Sequence, residues 1–146
     1  MIEFYELNSI NDELLEFAVI YSMYKNEWVF VKHKDRTTWE MPGGHREFGE
    51  NINTTATREL FEETGSKEYS IEPVCAYSVK KDGVNKYGQM FYAEIIEKGE
   101  LPEFEIGELK CALELPMDLT YPDIQPYLHN KILQYKQEGI NKLNIN

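Results

Sequence analysis

Hydrophobic and polar positions along the chain predict a sheet made largely of hairpins, interrupted by two helices. Two apolar, aromatic stretches at 17–24 (FAVIYSMY) and 28–34 (WVFVKHK) flank a polar turn at Asn26, which predicts a β-hairpin. Three further strands are predicted at 69–79, 88–96 and 109–115. Asp82-Gly83 is a turn signal between the first two of these strands. A polar, glutamate-rich loop is expected over 97–108.

Two helices complete the pattern. The first is predicted over 53–64, because Asn51 or Asn53 can cap its start and Gly65 lies just past its end. The second follows Asp123 as a cap, with Pro126 in its first turn, and the tail after Gly139 is expected to fray. Its apolar positions recur at helical spacing, at Ile124, Tyr127, Leu128, Ile132 and Tyr135. This order of elements indicates an α/β protein, an α/β/α sandwich around a mixed β-sheet.

The composition says more about which partners the protein can bind than about its fold. The 146 residues contain no linker or repeat, so we expect a single domain over 1–146. A net charge of −11 argues against a nucleic-acid partner, which needs a basic surface. It does not argue against a phosphate-bearing small molecule held through divalent cations. The sequence is compatible with a homodimer but does not fix the oligomeric state.

The cellular setting is expected to be the cytoplasm, with no membrane partner. The first residues lack the basic start and apolar run of a signal peptide, and no window is apolar enough to span a membrane. Cys75 and Cys111 lie in apolar stretches without a CxxC pair. We therefore predict that both are buried free thiols in a reducing compartment.

The predicted first helix carries three glutamates on one face. At about 100° per residue, Glu62 and Glu63 lie roughly 60° and 40° to either side of Glu59. A second face, assigned to the core, holds Ala56, Thr57, Leu60 and Phe61. The carboxylates repel one another by about a few tenths of a kcal/mol per pair, and the helix dipole disfavours anions in the last turn. A bound divalent cation would supply the missing charge.

Residues before the helix complete this candidate site. Gly43-Gly44 follows Pro42 and allows the backbone to approach a ligand closely, so that a carbonyl of this loop can serve as a further oxygen ligand. We predict that Glu50 pairs with Arg58 and fixes the loop on the helix.

The joint spacing of these residues resembles the Nudix box, G-x5-E-x7-R-E-U-x-E-E-x-G-U, where U is a bulky apolar residue. It maps onto Gly44 to Ser66, and the matching residues are Gly44, Glu50, Arg58, Glu59, Leu60, Glu62, Glu63 and Gly65. Ser66, at the final apolar position, is the one departure, and it affects packing rather than a metal ligand.

The resemblance implies a Nudix-type sandwich whose box forms a loop, a helix and a loop. It implies that Glu59, Glu62 and Glu63 ligate Mg²⁺ or Mn²⁺ with the Gly44 carbonyl, while Arg58 and Glu50 support them. Family members often recruit a carboxylate from a later loop, and of Glu105 and Glu108 we choose Glu105. Glu63 or Glu62 is the candidate general base.

The function expected from this resemblance is hydrolysis of a pyrophosphate bond in a nucleoside diphosphate linked to a group X. A nucleoside triphosphate, including an oxidised one, is the first choice, since the chain is distantly similar to 8-oxo-dGTP diphosphatases. ADP-ribose, a dinucleoside polyphosphate or a nucleotide sugar is the first alternative. A non-catalytic nucleotide-sensing module is the second, although the intact glutamate set argues against it.

A few further residues are candidates for parts of a substrate site. Trp39 and the Tyr87/Gln89 region could face a base, but a core position is expected for these aromatic residues. Arg36 could contact a phosphate or be an exposed charge. His33, His45 and His129 show no metal-ligand spacing, and we expect His45 to be exposed to solvent.

Overall fold

A seven-stranded mixed sheet forms the centre of the protein. The structure is a computed structural model and describes residues 1–144. Its strands run in the order β1-β5-β6-β2-β3-β7, with β4 paired to β2 outside this path. The strands are β1 (Ile2–Tyr5), β2 (Leu15–Tyr24), β3 (Glu27–His33), β4 (Gly43–His45), β5 (Ser66–Lys81), β6 (Val84–Lys98) and β7 (Ile106–Ala112). All pairings are antiparallel except β2 with β6, which are parallel. The predicted mixed sheet is thus confirmed.

Two helices cover opposite faces of this sheet. Helix α1 (Ile52–Thr64) packs Ala56 and Leu60 against the side of β2 that carries Ala18 and Ile20. Helix α2 (Gln125–Asn144) packs Leu128 and Ile132 against the opposite side, where Tyr21 lies. Because neighbouring residues of a strand face opposite sides, one strand contributes to both cores. The predicted α/β fold of three layers is therefore confirmed.

Local chemistry explains how α1 and the second hairpin begin and end. The Asn51 side chain accepts a hydrogen bond from Thr54 N at 2.9 Å, so Asn51 rather than Asn53 is the cap. Gly65 ends the helix with a φ of 72°. Asp82 and Gly83 have φ values of 52° and 79°, which matches the primed turn of a two-residue hairpin.

Several predicted boundaries were wrong. Strand β1 was not predicted, and it is held by its pairing with the distant strand β5. Strand β7 begins at Ile106 rather than Leu109, because its register follows β3. Helix α2 begins at Gln125, two residues after Asp123, and continues past Gly139 to Asn144; the tail predicted to fray also includes 145–146, which lie outside the described residues. Cys75 is buried, as predicted, but Cys111 is only half-buried; both thiols are free.

The buried face of α1 also differs from the prediction. Phe61 is 44% exposed and Thr57 only half-buried, although both were assigned to the core. The buried residues of the helix are Ile52, Thr55, Ala56, Leu60, Glu63 and Thr64. Their arc is centred near Glu63, and Phe61 lies about 160° away from Glu63 around the helix. The acidic face and the core face therefore overlap, and Glu63 points into the protein.

Ser66 is buried at the position where the box pattern has an apolar residue. Its hydroxyl lies 2.5 Å from the Thr64 hydroxyl, and Thr64 in turn donates to the Leu60 carbonyl at 2.6 Å. A buried polar group is tolerated when it has a hydrogen-bond partner. The bond between the two hydroxyls therefore explains how a serine can occupy this buried position.

Across residues 1–144, neither helix is long and apolar enough to cross a membrane.

Candidate active site

The glycine pair of β4 lies directly against the acidic face of α1. Gly43 N donates a hydrogen bond to Glu63 Oε1 at 2.8 Å. A Cβ atom on Gly44 would collide with the Glu59 carboxylate. Pairing of β4 with β2 holds both glycines in place, and only the missing side chain allows this approach. The two box segments predicted to act together therefore meet in the structure.

Arg58 is the hub of the acidic cluster. Its Nε donates to Glu50 Oε2 at 2.6 Å and its Nη2 donates to Glu50 Oε1 at 3.0 Å, the two-point pair that the sequence predicts. Its Nη1 donates to Glu59 Oε1 at 2.7 Å and to Glu62 Oε2 at 3.2 Å. One guanidinium therefore donates to three carboxylates and lies 3.7 Å from a fourth, that of Glu47, so positive charge is in short supply.

The pKa values of these carboxyls reflect that imbalance. The hydrogen bonds that Arg58 donates to Glu50 lower the pKa of Glu50 to about 2 and raise the pKa of the Arg58 guanidinium. Burial raises the pKa of Glu59 to about 7, against the opposing effect of Arg58. Burial, together with the Glu59 charge, raises the pKa of Glu63 to about 9 against the opposing effect of the hydrogen bond from Gly43 N. Glu59 and Glu63 are thus costly to ionise without an added cation.

The loop before β7 brings Glu105 to the same site. Lys34 N donates to the Glu105 carbonyl at 2.8 Å, which ties this loop to the end of β3. Glu108 lies elsewhere, since its carboxylate is 3.5 Å from Lys32 Nζ. Of the two residues considered from the sequence, the structure therefore brings only Glu105 to the acidic cluster.

Two residues at the site were not predicted, His33 and Glu40. His33 Nε2 lies 3.6 Å from Glu63 Oε2 and 3.1 Å from Glu40 Oε1, and its Nδ1 lies 3.7 Å from Glu105 Oε2. No ligand spacing in the sequence could have revealed His33, because its neighbours come from α1 and from the loop before β7.

A cleft of about 690 Å³ extends from this cluster along the α2 side of the sheet. At its acidic end lie Gly43, Gly44, Glu59 and Glu105. Its other walls carry aromatic, aliphatic and basic side chains, among them Phe17, Val19, Tyr77, Val79, Arg36, Arg46, Lys81 and Lys86. A phosphate-bearing ligand with an apolar portion fits this distribution, provided that cations offset the acidic end.

The remaining residues considered from the sequence divide between the core and the cleft. Trp39 is 9% exposed and packs in the core next to α2, as expected. Tyr87 stacks near Tyr5, with ring centroids 6.0 Å apart, and it does not line the cleft. His45 is exposed at the cleft, with its ring edge-on to Phe17. Arg36 lines the cleft and donates to Glu40 Oε2 at 2.9 Å.

Known proteins share both the sequence pattern and the architecture. A family model described as the NUDIX domain matches residues 16–111. The chain is 36% identical over 117 residues to an ADP-ribose pyrophosphatase of Bacillus subtilis, a match covering 74% of this chain. It spans 63% of the length of that relative.

Solved structures agree on the fold. The pyrophosphohydrolase BsRppH of Bacillus subtilis superposes with a TM-score of 0.79 at 20% identity, covering 94% of this chain and 91% of its own. The NUDIX domain of Shewanella oneidensis NrtR, crystallised with ADP-ribose, superposes with a TM-score of 0.64 at 14% identity, covering 90% and 93%. At such low identity these two structures show a shared fold and nothing more.

Proposed function

The chain belongs to the Nudix family, and we propose that it is an enzyme that hydrolyses a pyrophosphate bond in a nucleoside diphosphate derivative, with Mg²⁺ or Mn²⁺ as its cofactor. The observation that carries this proposal is that Glu59 lies against Gly44 and Glu63 accepts from Gly43 N beside one cleft, while Arg58 joins Glu62 to Glu59. Hard divalent cations prefer oxygen ligands, and this group of residues offers carboxylates and a carbonyl.

The fit to a cation rests on charge as well as on donor type. Glu59 and Glu63 are largely withdrawn from water, yet Arg58 is the only guanidinium that bonds to this carboxylate group in residues 1–144. Ionised carboxyls in such surroundings need added positive charge. We therefore assign Glu59, Glu62, Glu63 and the Gly44 carbonyl as the ligands, with Arg58 and Glu50 holding them in position.

A bound cation would polarise the phosphoryl oxygens and lower the pKa of the attacking water. The protein's own residues have three tasks in this scheme. Glu63 or Glu62 accepts the proton of the water, Glu105 assists from the loop, and the basic residues of the cleft contact the phosphates. Glu63 is held rigidly by Gly43 N, whereas Glu62 shares Arg58 with its neighbours.

Nucleoside triphosphates, oxidised ones included, are our leading substrate class. ADP-ribose is a second candidate, supported by the 36% identity to a pyrophosphatase that bears its name. A non-catalytic nucleotide sensor is the rival of both. The complete set of glutamates in the box supports an enzyme over a sensor.

The deciding experiment is an assay of the purified chain with Mg²⁺ and a panel of nucleoside triphosphates, ADP-ribose, dinucleoside polyphosphates and nucleotide sugars. Release of phosphate or pyrophosphate, or cleavage of the nucleotide, is measured for each compound. We expect turnover of at least one compound and its loss by orders of magnitude in Glu63→Gln, with the fold intact by circular dichroism. Binding without turnover across the panel would establish the sensor instead.

The role of Glu105 has its own variant. Glu105→Gln is expected to lower kcat by about tenfold or more, within the range usual for one acid–base or ligand group. Glu108→Gln is the matched control, because Glu108 contacts Lys32 rather than the acidic cluster. Equal rates for Glu105→Gln and Glu108→Gln would remove Glu105 from the mechanism.

A further inference from the structure

We propose that His33 supplies a nitrogen ligand to a divalent cation, together with the carboxylates of Glu63 and Glu105, and thereby makes the site bind Mn²⁺ and other first-row ions more tightly than Mg²⁺. This inference rests on the proposed function, in which Glu63 faces a bound cation. It adds a nitrogen donor to a ligand set that otherwise consists of oxygen atoms.

The spacing of the three side chains suits a single ion. One potential ligand atom from each of His33, Glu63 and Glu105 lies within 4.8 Å of the others. Nε2 of His33 is 3.6 Å from Glu63 Oε2. Glu105 Oε2 lies 3.7 Å from the other ring nitrogen, Nδ1, so the Glu105 side chain has to turn toward Nε2 to share the same ion. Atoms that bind one ion at about 2.0–2.2 Å lie roughly 3–4 Å apart, so small rotations of these side chains are sufficient.

The fold directs His33 toward this point. His33 is the last residue of β3, and the register with β7 shifts between Lys32 and His33, so that Gly107 has no partner. The extra residue, Gly107, belongs to β7 and bends that strand two residues from Glu105, and bulges are common beside functional sites. The three donors come from a central strand, a helix and a loop, and the Lys34–Glu105 backbone bond ties that loop to the strand.

The ring nitrogen of His33 nearest to Glu63 lacks the hydrogen-bond partner that buried polar atoms usually have. His33 Nε2 is buried and has no hydrogen-bond partner among the residues that the structure describes. Glu40 Oε1 lies 3.1 Å away, but the two groups are not aligned for a hydrogen bond. A buried nitrogen without a hydrogen-bond partner is destabilising, and a cation between the ring and the carboxylates would use its lone pair.

This donor set selects among metals. Mg²⁺ prefers oxygen ligands and keeps several waters, whereas imidazole suits Fe²⁺, Ni²⁺ and Zn²⁺. Mn²⁺, which begins this first-row series, favours oxygen ligands but also accepts an imidazole. Gly43 N occupies Glu63 Oε1, so Oε2, which faces His33, is the oxygen that Glu63 can give to the cation. The competing arrangement is an imidazole that merely pairs with its acidic neighbours, with every ion bound through oxygen alone.

Pulsed electron paramagnetic resonance of the Mn²⁺-loaded full chain separates the two arrangements. The protein carries no polyhistidine tag and the buffer contains no nitrogen donors, so that electron spin-echo modulation from ¹⁴N reports a protein ligand. We expect imidazole modulation in the wild type and its loss in His33→Gln, together with a roughly tenfold or greater loss of Mn²⁺ affinity and little change for Mg²⁺. His45→Gln, the same change at an exposed histidine of the cleft, is expected to keep the modulation.

Each result decides the matter. Bound Mn²⁺ without ¹⁴N modulation in the wild type would overturn the His33 ligand and leave the proposed function standing. Modulation that survives in His33→Gln would overturn it as well. Absence of any Mn²⁺ or Mg²⁺ binding would overturn the proposed function itself. The wild-type spectrum is decisive even if His33→Gln fails to fold, which circular dichroism would detect.

Discussion

Replacing Glu63 by glutamine is expected to stabilise the metal-free protein even though it abolishes turnover. Glu63 is 3% exposed and lies at the centre of the buried face of α1. Glutamine has the same shape and keeps the Oε1 acceptor for Gly43 N, which now bonds at 2.8 Å. The substitution therefore removes a buried acid and leaves its packing and its principal hydrogen bond in place.

The size of this effect follows from the pKa of Glu63, which burial raises from 4.5 to about 9. Between these two values the folded protein holds a proton that the unfolded chain has released, so wild-type stability falls as the pH rises. A pH of 7.5 is about three units above the ordinary pKa. At about 1.4 kcal/mol per unit, the buried carboxyl therefore lowers the free energy of unfolding by about 4 kcal/mol at this pH. The stability difference should vanish as the pH falls below 4.5, where Glu63 becomes protonated in both states.

Urea unfolding in EDTA from pH 4.5 to 9, followed by the fluorescence of the buried tryptophans, measures this difference directly. Glu63→Gln should be more stable than the wild type by an amount that grows with pH up to about 4 kcal/mol at pH 7.5. Mg²⁺ should then stabilise the wild type more than the variant, because it binds the folded acidic cluster. The control is Glu114→Gln at an exposed position, for which no such trend is expected. Parallel pH profiles for the wild type and Glu63→Gln would refute the idea that burial makes this carboxyl costly.

Two other substitutions test the surroundings of the cluster. Gly44→Ala should weaken Mg²⁺ binding by an order of magnitude or more in calorimetry, because a Cβ atom there displaces the Glu59 carboxylate. The control is Gly139→Ala, where a Cβ atom meets open space, and this variant should bind the ion as the wild type does. Unchanged affinity in Gly44→Ala would contradict the close approach. Glu50→Gln should lower the free energy of unfolding at pH 7 by about 1–3 kcal/mol, since it breaks the two-point pair with Arg58. Since the folded pKa of Glu50 is lowered to about 2, this stabilisation is present above pH 4.5 and should disappear as the pH falls through 2.

What the sequence determined by itself was the chemistry that acts over a few residues. The Gly65 stop of α1 and the Asp82-Gly83 turn follow from local backbone preferences, which neighbouring residues suffice to reveal. The pairing of Glu50 with Arg58 was also predictable, because it depends on one loop and the helix that follows it.

Only the tertiary structure decided which side of α1 is buried and what lies opposite its acids. Helical spacing places Glu59, Glu62 and Glu63 on one arc, but the sheet determines that Glu63 faces inward and Phe61 faces solvent. His33 joins the site by pairing with Ile106, beside a bulge in β7. The two residues are more than 70 positions apart along the chain. Contacts of that range leave no periodic trace along the chain, because burial and register are set by the partner elements and not by the residues themselves.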